Sequence, residues 1–301
     1  MPTSLHSAFM ASKSFVRLVH TASATAHRMS GSHTIRTGAC LIIGDEVLNG
    51  KIKDTNSYNF ARFCFANSID LKRIEVVGDV ESEIVEAAAR MARDYDFVVT
   101  SGGIGPTHDD ITYQSLAKAF GLPLELHAET AERMGRLART KIDRKANPDA
   151  WAAQMRMATL PSSPDPAQMS VLYPMPQSWV PVVVLASKVH VLPGVPSLFT
   201  GLLDGVLPTL LPRIVRRDML RLLVKTAKPE SVMAPFLTEL QARADPLGIK
   251  IGSYPHMLAR VNTVSIVGES QHEAAMRQMV ADTEAALEGN EITLAEEETL
   301  H

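Results

Sequence analysis

A chain of 301 residues is long enough for one large α/β domain with a small appendage, and its 46 % hydrophobic content is ordinary for a soluble enzyme. The net charge of −3 is uneven: residues 1–44 hold four of the 30 basic side chains (Lys13, Arg17, Arg28 and Arg36) and none of the 33 acidic ones, so the remainder carries −7. That mildly acidic body argues against a phosphate-tracking nucleic-acid surface, Cys40 and Cys64 alone give neither a disulfide framework nor a four-ligand zinc site, and no run of 18 apolar residues is present to span a membrane.

Residues 1–34 are rich in Ser, Thr, Ala and His, carry spaced basic residues and no acid, and so have the composition of a mitochondrial transit peptide. Phe9, Phe15, Val16, Leu18 and Val19 would form the apolar side of its helix. This predicts the mitochondrial matrix, with the cytoplasm as the alternative if the segment is a disordered extension without an address.

From Thr37 apolar strands alternate with amphipathic helices. Residues 39–43 read as a strand that ends at Gly44-Asp45-Glu46, and a helix starts near Asp54-Thr55-Asn56, whose side-chain oxygens can cap free amides, and buries Phe60, Phe63 and Cys64. A second strand over 69–77, a helix over 81–94 with Ile84, Ala87, Ala88 and Met91 at helical spacing, and a third strand over 97–100 follow. The alternation predicts an α/β fold, a mostly parallel sheet covered by helices on both faces, with ligands at the carboxyl ends of its strands. Helices around 128–140 and 148–155, a Pro-rich irregular excursion over 160–181, strands over 182–186 and 189–192, and a helix through Leu203 complete a domain placed at 35–213, closed by Pro208 and Pro212. A small C-terminal α+β subdomain, 214–290, reads as strand 219–225, helix 230–244, strands 249–253 and 261–267, and helix 269–287. The acidic tail, 291–301, is expected to fray.

The stretch Ser101-Gly102-Gly103-Ile104-Gly105-Pro106-Thr107-His108-Asp109-Asp110-Ile111-Thr112 follows the third strand directly and precedes a helix. Its glycines let the backbone approach an anion, and the helix start offers free amides and a positive dipole end to a phosphate. Asp109 and Asp110 would repel that phosphate unless a divalent cation lay between, and hard oxygen ligands suit Mg2+, Mn2+ or Co2+. The plainer alternative is a glycine turn whose two acids stabilise a helix N-terminus. Asp45, Glu46, Asp54 and Asn56 fall in the loop after the first strand, at the same sheet edge, although Asp54 could be only a helix cap and Asp45 and Glu46 only a solvated turn. Used together, the two loops have Asp109 and Asp110, with Asp45 or Glu46, holding a divalent ion for catalysis while Gly102, Gly103, Gly105 and Thr107 cradle the phosphates. Asp54 and Asn56 are cast as loop anchors or ribose contacts. His108 is expected to be exposed rather than catalytic, Trp151 and Trp179 to serve packing or surface, and Tyr254 to be the better aromatic for stacking.

These residues carry a resemblance. Gly44-Asp45-Glu46 with Leu48, Gly50 and Asp54-Thr55-Asn56 is similar to the first motif of the molybdopterin-binding-domain family, and Gly102 to Thr107 with Asp109, Asp110 and Thr112 resembles its second. Met157-Ala158 with Leu160-Pro161, Leu192-Pro193-Gly194-Val195-Pro196 and Gly252-Ser253-Tyr254-Pro255 extend the resemblance over residues 38–267. The proline-glycine and Gly-Ser-Tyr-Pro pieces look more like the FAD-hydrolysing domain of eukaryotic FAD synthases and stand-alone fungal FAD pyrophosphatases. The bacterial competence/damage-inducible proteins that hydrolyse ADP-ribose share the first two motifs, but their Asn and Gly-Thr-Ala-Pro-Gly loop has no clear counterpart between Ser170 and Ala186. The resemblance implies hydrolysis of FAD to FMN and AMP, dependent on Co2+ or Mg2+ and aided by K+, by a homo-oligomer. It adds Thr112, Pro193, Gly194, Ser253 and Tyr254 to the substrate contacts. The alternatives are ADP-ribose or another dinucleotide as substrate, and a module that binds a pterin or flavin nucleotide without turnover. No segment resembles the adenylyl-transferring domain of FAD synthases or the deamidase domain of the bacterial proteins, so neither FAD synthesis nor nicotinamide-mononucleotide deamidation is expected.

Overall fold

Strand β1 (Thr37–Ile43) is buried and apolar from Gly38 onward, which suits only the interior of a covered sheet. The computed structural model, which describes residues 33–300, sets it between β2 (Asp70–Val77) and β3 (Phe97–Ser101), parallel to both. The leader expected over 1–34 lies outside the described residues apart from His33 and Thr34. The sheet continues through β8 (Val189–Leu192), parallel to β3, and then β7 (Val182–Leu185) and β6 (Met169–Leu172), each antiparallel to its neighbour, in the order β2-β1-β3-β8-β7-β6.

Side chains alternate across this sheet. Leu41, Ile43, Val98, Val189 and Val191 share a cluster with Ile84, Ala88 and Met91 of α3 (Glu81–Asp94) and with Tyr113 and Leu116 of α4 (Thr112–Phe120). On the opposite face Phe97 meets Phe60 and Phe63 of α2 (Asn56–Ala66), with ring centroids 5.6 and 6.3 Å away, and α7 (Pro196–Leu210) packs beside α2. The architecture is the expected α/β one, a mostly parallel sheet between two layers of helices. A short α1 (Asp45–Leu48) replaces the plain loop read after β1. Outside the sheet, α5 (Ala128–Leu137) and α6 (Pro148–Arg156) lie between the strands of a small antiparallel pair, β4 (Leu124–Leu126) and β5 (Thr159–Pro161).

The C-terminal unit is an antiparallel sheet in the order β10-β11-β9-β12, made of β9 (Met219–Thr226), β10 (Lys250–His256), β11 (Val261–Glu269) and β12 (Asn290–Ile292). Its apolar face packs against α8 (Glu230–Ala244) and α9 (Glu273–Leu287). No helix among the described residues is long and apolar enough to cross a membrane.

Three expectations need correction. The excursion over 160–181 contains β6 and the end of β5: β6 is a short edge strand needing only one ladder, so prolines can flank it without breaking a central pairing. Helix α7 continues past Leu203 to Leu210, because Pro208 stands in its last turn and forfeits a single backbone bond. The tail from 291 is not frayed at its start: Ile292 is buried and pairs with Leu223, and Thr293 and Glu296 form a capping box for α10 (Leu294–Glu298).

Candidate functional site

The register brings the carboxyl ends of β1, β3 and β8 together, with Ile42 opposite Ser101 and Ser101 opposite Leu192, so that three loops leave one edge side by side. Asn56 ties them. Its Nδ2 donates to the Ser101 hydroxyl and to the Gly194 carbonyl, both at 2.9 Å. Asp54 caps α2, its Oδ1 accepting from the amides of Asn56 (2.9 Å) and Ser57 (3.0 Å), which answers to the anchor role.

The glycine loop needs its glycines for space. Gly102 (φ +108°) and Gly103 (φ +64°) stand in left-handed conformations; a Cβ would lie 2.2 Å from the Ile43 carbonyl oxygen at the first and 2.2 Å from Thr112 Oγ1 at the second. Thr112 is fully buried, donates from Oγ1 to the Gly102 carbonyl at 2.9 Å and from its amide to the Gly103 carbonyl at 2.9 Å. It is an internal brace, which corrects its place among the substrate contacts. Asp110 is also turned inward: Oδ1 accepts from the Gly105 amide at 2.6 Å, and Oδ2 from the Thr107 amide at 2.8 Å and hydroxyl at 2.5 Å. The amides of Gly105 and Thr107, expected to cradle phosphate, are thus occupied by the loop's own carboxylate. Those of Gly103 and Ile104 donate to no acceptor among the described residues and are the ones a phosphate can use.

Acids gather beside this loop. A cavity of about 480 Å3 is lined by Asp45, Glu46, Asp79, Asp109 and Asp110, with Lys51 as its cation. Asp79 follows β2 and was not among the sequence candidates, although an acid just past a strand's carboxyl end is the same signal that picked out Asp45. Its Oδ2 accepts from the Asp45 amide at 3.0 Å. Burial first, and then the charges of Asp45, Glu46 and Asp109, raise its carboxyl above the usual range against the pull of that hydrogen bond. Asp109 is lowered, chiefly by the Thr107 hydroxyl 2.6 Å away, whose single proton Asp109 and Asp110 share.

A second cleft of about 510 Å3 shares Ile43, Glu46, Ile52, Gly103 and Asp110 with the acidic cavity and adds Asn56, Tyr113, Trp179, Pro193 and Gly194. Its walls are largely apolar, and Lys53 is the cation on its rim. Pro193 and Gly194 line this cleft, and His108 is exposed, as expected. Trp179, read as packing, is a cleft wall, whereas Trp151 lies under the Arg144 guanidinium at 4.5 Å. Ser253 and Tyr254 are not brought to either cavity: both are on β10 of the other sheet, where Ser253 donates to Glu230 at 3.1 Å and Tyr254 is exposed. A turn read from sequence is a strand there, and no loop carries it to the sheet edge. Their place among the substrate contacts is corrected accordingly within the chain.

Among the described residues no three His, Cys, Asp or Glu side chains are grouped to hold a metal ion. The acidic cavity nonetheless has the donor chemistry of a hard divalent ion, oxygen ligands from five carboxylates against the single cation Lys51. Mg2+ in nucleotide sites is bound by one or two carboxylates, waters and the phosphates themselves, which requires no preformed cage.

Residues 39–212 match the family described as "Probable molybdopterin binding domain", and residues 219–296 match "FAD synthase, middle domain". The chain is 32 % identical over 249 residues to a probable FAD synthase of Caenorhabditis briggsae, which covers 80 % of this chain and 47 % of that one. It is 36 % identical over 177 residues to a CinA-like protein of Myxococcus xanthus, covering 58 % of this chain and 39 % of that one. The chain thus spans less than half the length of these two curated relatives. Among solved structures, CinA from Thermoplasma acidophilum, described as of unknown function, matches 58 % of this chain and 98 % of its own at 26 % identity and a TM-score of 0.51.

Proposed function

Because the chain belongs to the molybdopterin-binding-domain family, we propose that it is a divalent-metal-dependent nucleotide pyrophosphatase that hydrolyses FAD to FMN and AMP. The observation that carries this reading is the shared wall: an apolar cleft suited to a nucleotide opens beside an acidic cavity, with Glu46, Gly103 and Asp110 common to both. The match of the C-terminal unit to the FAD synthase middle domain favours a flavin nucleotide over ADP-ribose.

The free amides of Gly103 and Ile104 hold a phosphate oxygen, and Lys51 and Lys53, on the loop that faces both cavities, offset its charge. Asp110 fixes the shape of the loop through Gly105 and Thr107, so those amides are set before substrate arrives. Asp45, Glu46, Asp79 and Asp109 would hold Co2+ or Mg2+, with K+ as an auxiliary cation, and such a divalent ion neutralises phosphate charge and acidifies a bound water.

The test is to incubate the purified chain with FAD and Co2+ or Mg2+ and follow the rise in fluorescence as FMN is released. The rise should be abolished by EDTA. No rise with either ion at saturating FAD would contradict the reading, and a parallel assay on ADP-ribose tells a different substrate from a binding module without turnover.

A further inference from the structure

An edge strand offers any second chain a row of free N–H and C=O groups, and soluble proteins close such rows. On β10 the protein closes the row itself. Gln241 bonds both the Ile249 carbonyl (3.1 Å) and the Ile251 amide (2.8 Å), and Pro255, farther along the same row, has no N–H to offer. Strand β6 is four residues long between Pro166 and Pro174, and β12 is three. Strand β2, the eight-residue edge of the large sheet, is left open. Its Val77 carbonyl accepts from the Gly44 amide at 3.1 Å and so faces β1. Alternation turns the N–H and C=O of Ile74 and Val76 the other way, where no described residue bonds them. The bulge at Lys72, where the register with β1 skips a residue, confines the regular row to 73–77.

The side chains of this edge are self-complementary. Two copies paired antiparallel about a two-fold axis through Ile74 set Ile74 against Ile74, and each Arg73 against Glu75 of the other copy. An axis through Arg73 or Glu75 would instead set like charges opposite each other. On the face covered by α3, Glu75 accepts from Arg90 at 2.7 Å and from Arg73 Nε at 2.8 Å, so both terminal nitrogens of Arg73 remain for a second carboxylate. On the α2 face Ile74 is 46 % exposed, which leaves its outer side uncovered by the helix. Exposed Leu48 extends that apolar strip, its Cδ1 3.6 Å from where a Cβ on Gly78 would stand.

We propose that the open edge of β2 is the surface through which two copies of this chain associate, their large sheets joining into one across the two-fold axis. Ile74 and Leu48 close one face of the seam, and the alternating Arg73 and Glu75 close the other. The regular row is short, which sets the dissociation constant at roughly 1–100 µM.

Sedimentation equilibrium of the full chain from about 1 to 300 µM should follow a monomer–dimer equilibrium. Arg73→Glu brings like charges face to face on both sides of the axis and should weaken the dimer at least about tenfold at low salt, the loss shrinking as salt screens it. Ile74→Pro removes an N–H that bonds nothing within the chain, so it should abolish the dimer while urea unfolding of the dilute protein shows an intact monomer. Hydrogen exchange locates the seam: protection of the Ile74 and Val76 amides should rise with protein concentration, and that of β10 should not. Should Ile74→Pro fail to fold, Arg73→Glu and the exchange measurement decide. A chain that stays monomeric throughout, or a dimer whose affinity these variants leave unchanged, would overturn the proposal. So would slow exchange at Ile74 and Val76 in the dilute monomer, which would put another segment of the same chain on the edge.

Discussion

The loops after β3 and β1 leave neighbouring strands at one sheet edge and use their polar groups in opposite ways. After β3, Asp110 bonds the Gly105 and Thr107 amides and Thr112 bonds the Gly102 carbonyl, so the side chains that look most like ligands hold the loop in shape. After β1, Asn56 keeps an unpaired oxygen, and Asp45 and Glu46 stand with Asp79 in a cavity whose one lining cation is Lys51. Residue type alone does not separate an acid that builds a pocket from one kept for its occupant; bonding partners do.

The hardest test of the locked loop is Gly102→Ala. The new Cβ would meet backbone at 2.2 Å in a left-handed conformation, and unfolding free energy by urea titration should fall by about 3 kcal/mol or more. A variant as stable as the native chain would mean that the loop relaxes freely and the contrast with its neighbour is lost. Beneath both loops, His190 on β8 supplies a measure of the sheet itself. Burial pushes it from 6.5 to about 4, so above pH 6.5 it is neutral folded or unfolded, and as pH falls from there the unfolded chain takes up a proton that the fold refuses. Stability should drop by roughly 3 kcal/mol between pH 6.5 and 4 from this residue. Denaturation of His190→Leu over the same range should show a flatter profile, and an identical slope would show that the sheet opens to water under the site.

Asp110→Ala sharpens the comparison further. As an anchor, its loss should cost about 1–2 kcal/mol and lower turnover at least roughly a hundredfold, with no recovery on raising Mg2+. Recovery at high Mg2+ would make Asp110 an ion ligand instead. The smallest effect is expected for Asp79→Asn, which removes one charge from the crowded cavity while an amide oxygen can still accept from Asp45. Without divalent ions its melting temperature should rise above that of the native chain, and the increment on adding Co2+ should shrink; a fall in the ion-free protein would break the crowding argument.

Much of the large domain is legible in the sequence. The alternation from 39 to 100 maps onto β1, α2, β2, α3 and β3, because a strand buried on both faces must be apolar throughout and its covering helices must be amphipathic. The glycine loop is legible as a turn that needs its glycines, since Gly102 and Gly103 cannot carry a Cβ. What Asp110 and Thr112 do is not, since a carboxylate that bonds its own loop and one that awaits a cation have the same spacing in sequence. Asp79 carries the same signal as Asp45, an acid just past a strand's end, and the pairing of β2 with β1 brings the two together. Edge strand β6 is hidden by its flanking prolines. Strand β12 is hidden by its shortness and by exposed Asn290 and Glu291, since Ile292 alone is buried.

Hydrolysis of FAD in ¹⁸O-water with Co2+ tests the joined cleft and cavity most directly, because it reads cleavage and the orientation of the bound pyrophosphate together. With one phosphate held at the Gly103 and Ile104 amides and the ion on one side only, attack is confined to a single phosphorus, and equimolar FMN and AMP should form with all of the label in one of them. No cleavage, or label divided between FMN and AMP, would contradict a site in which that loop fixes the pyrophosphate beside the acidic cavity.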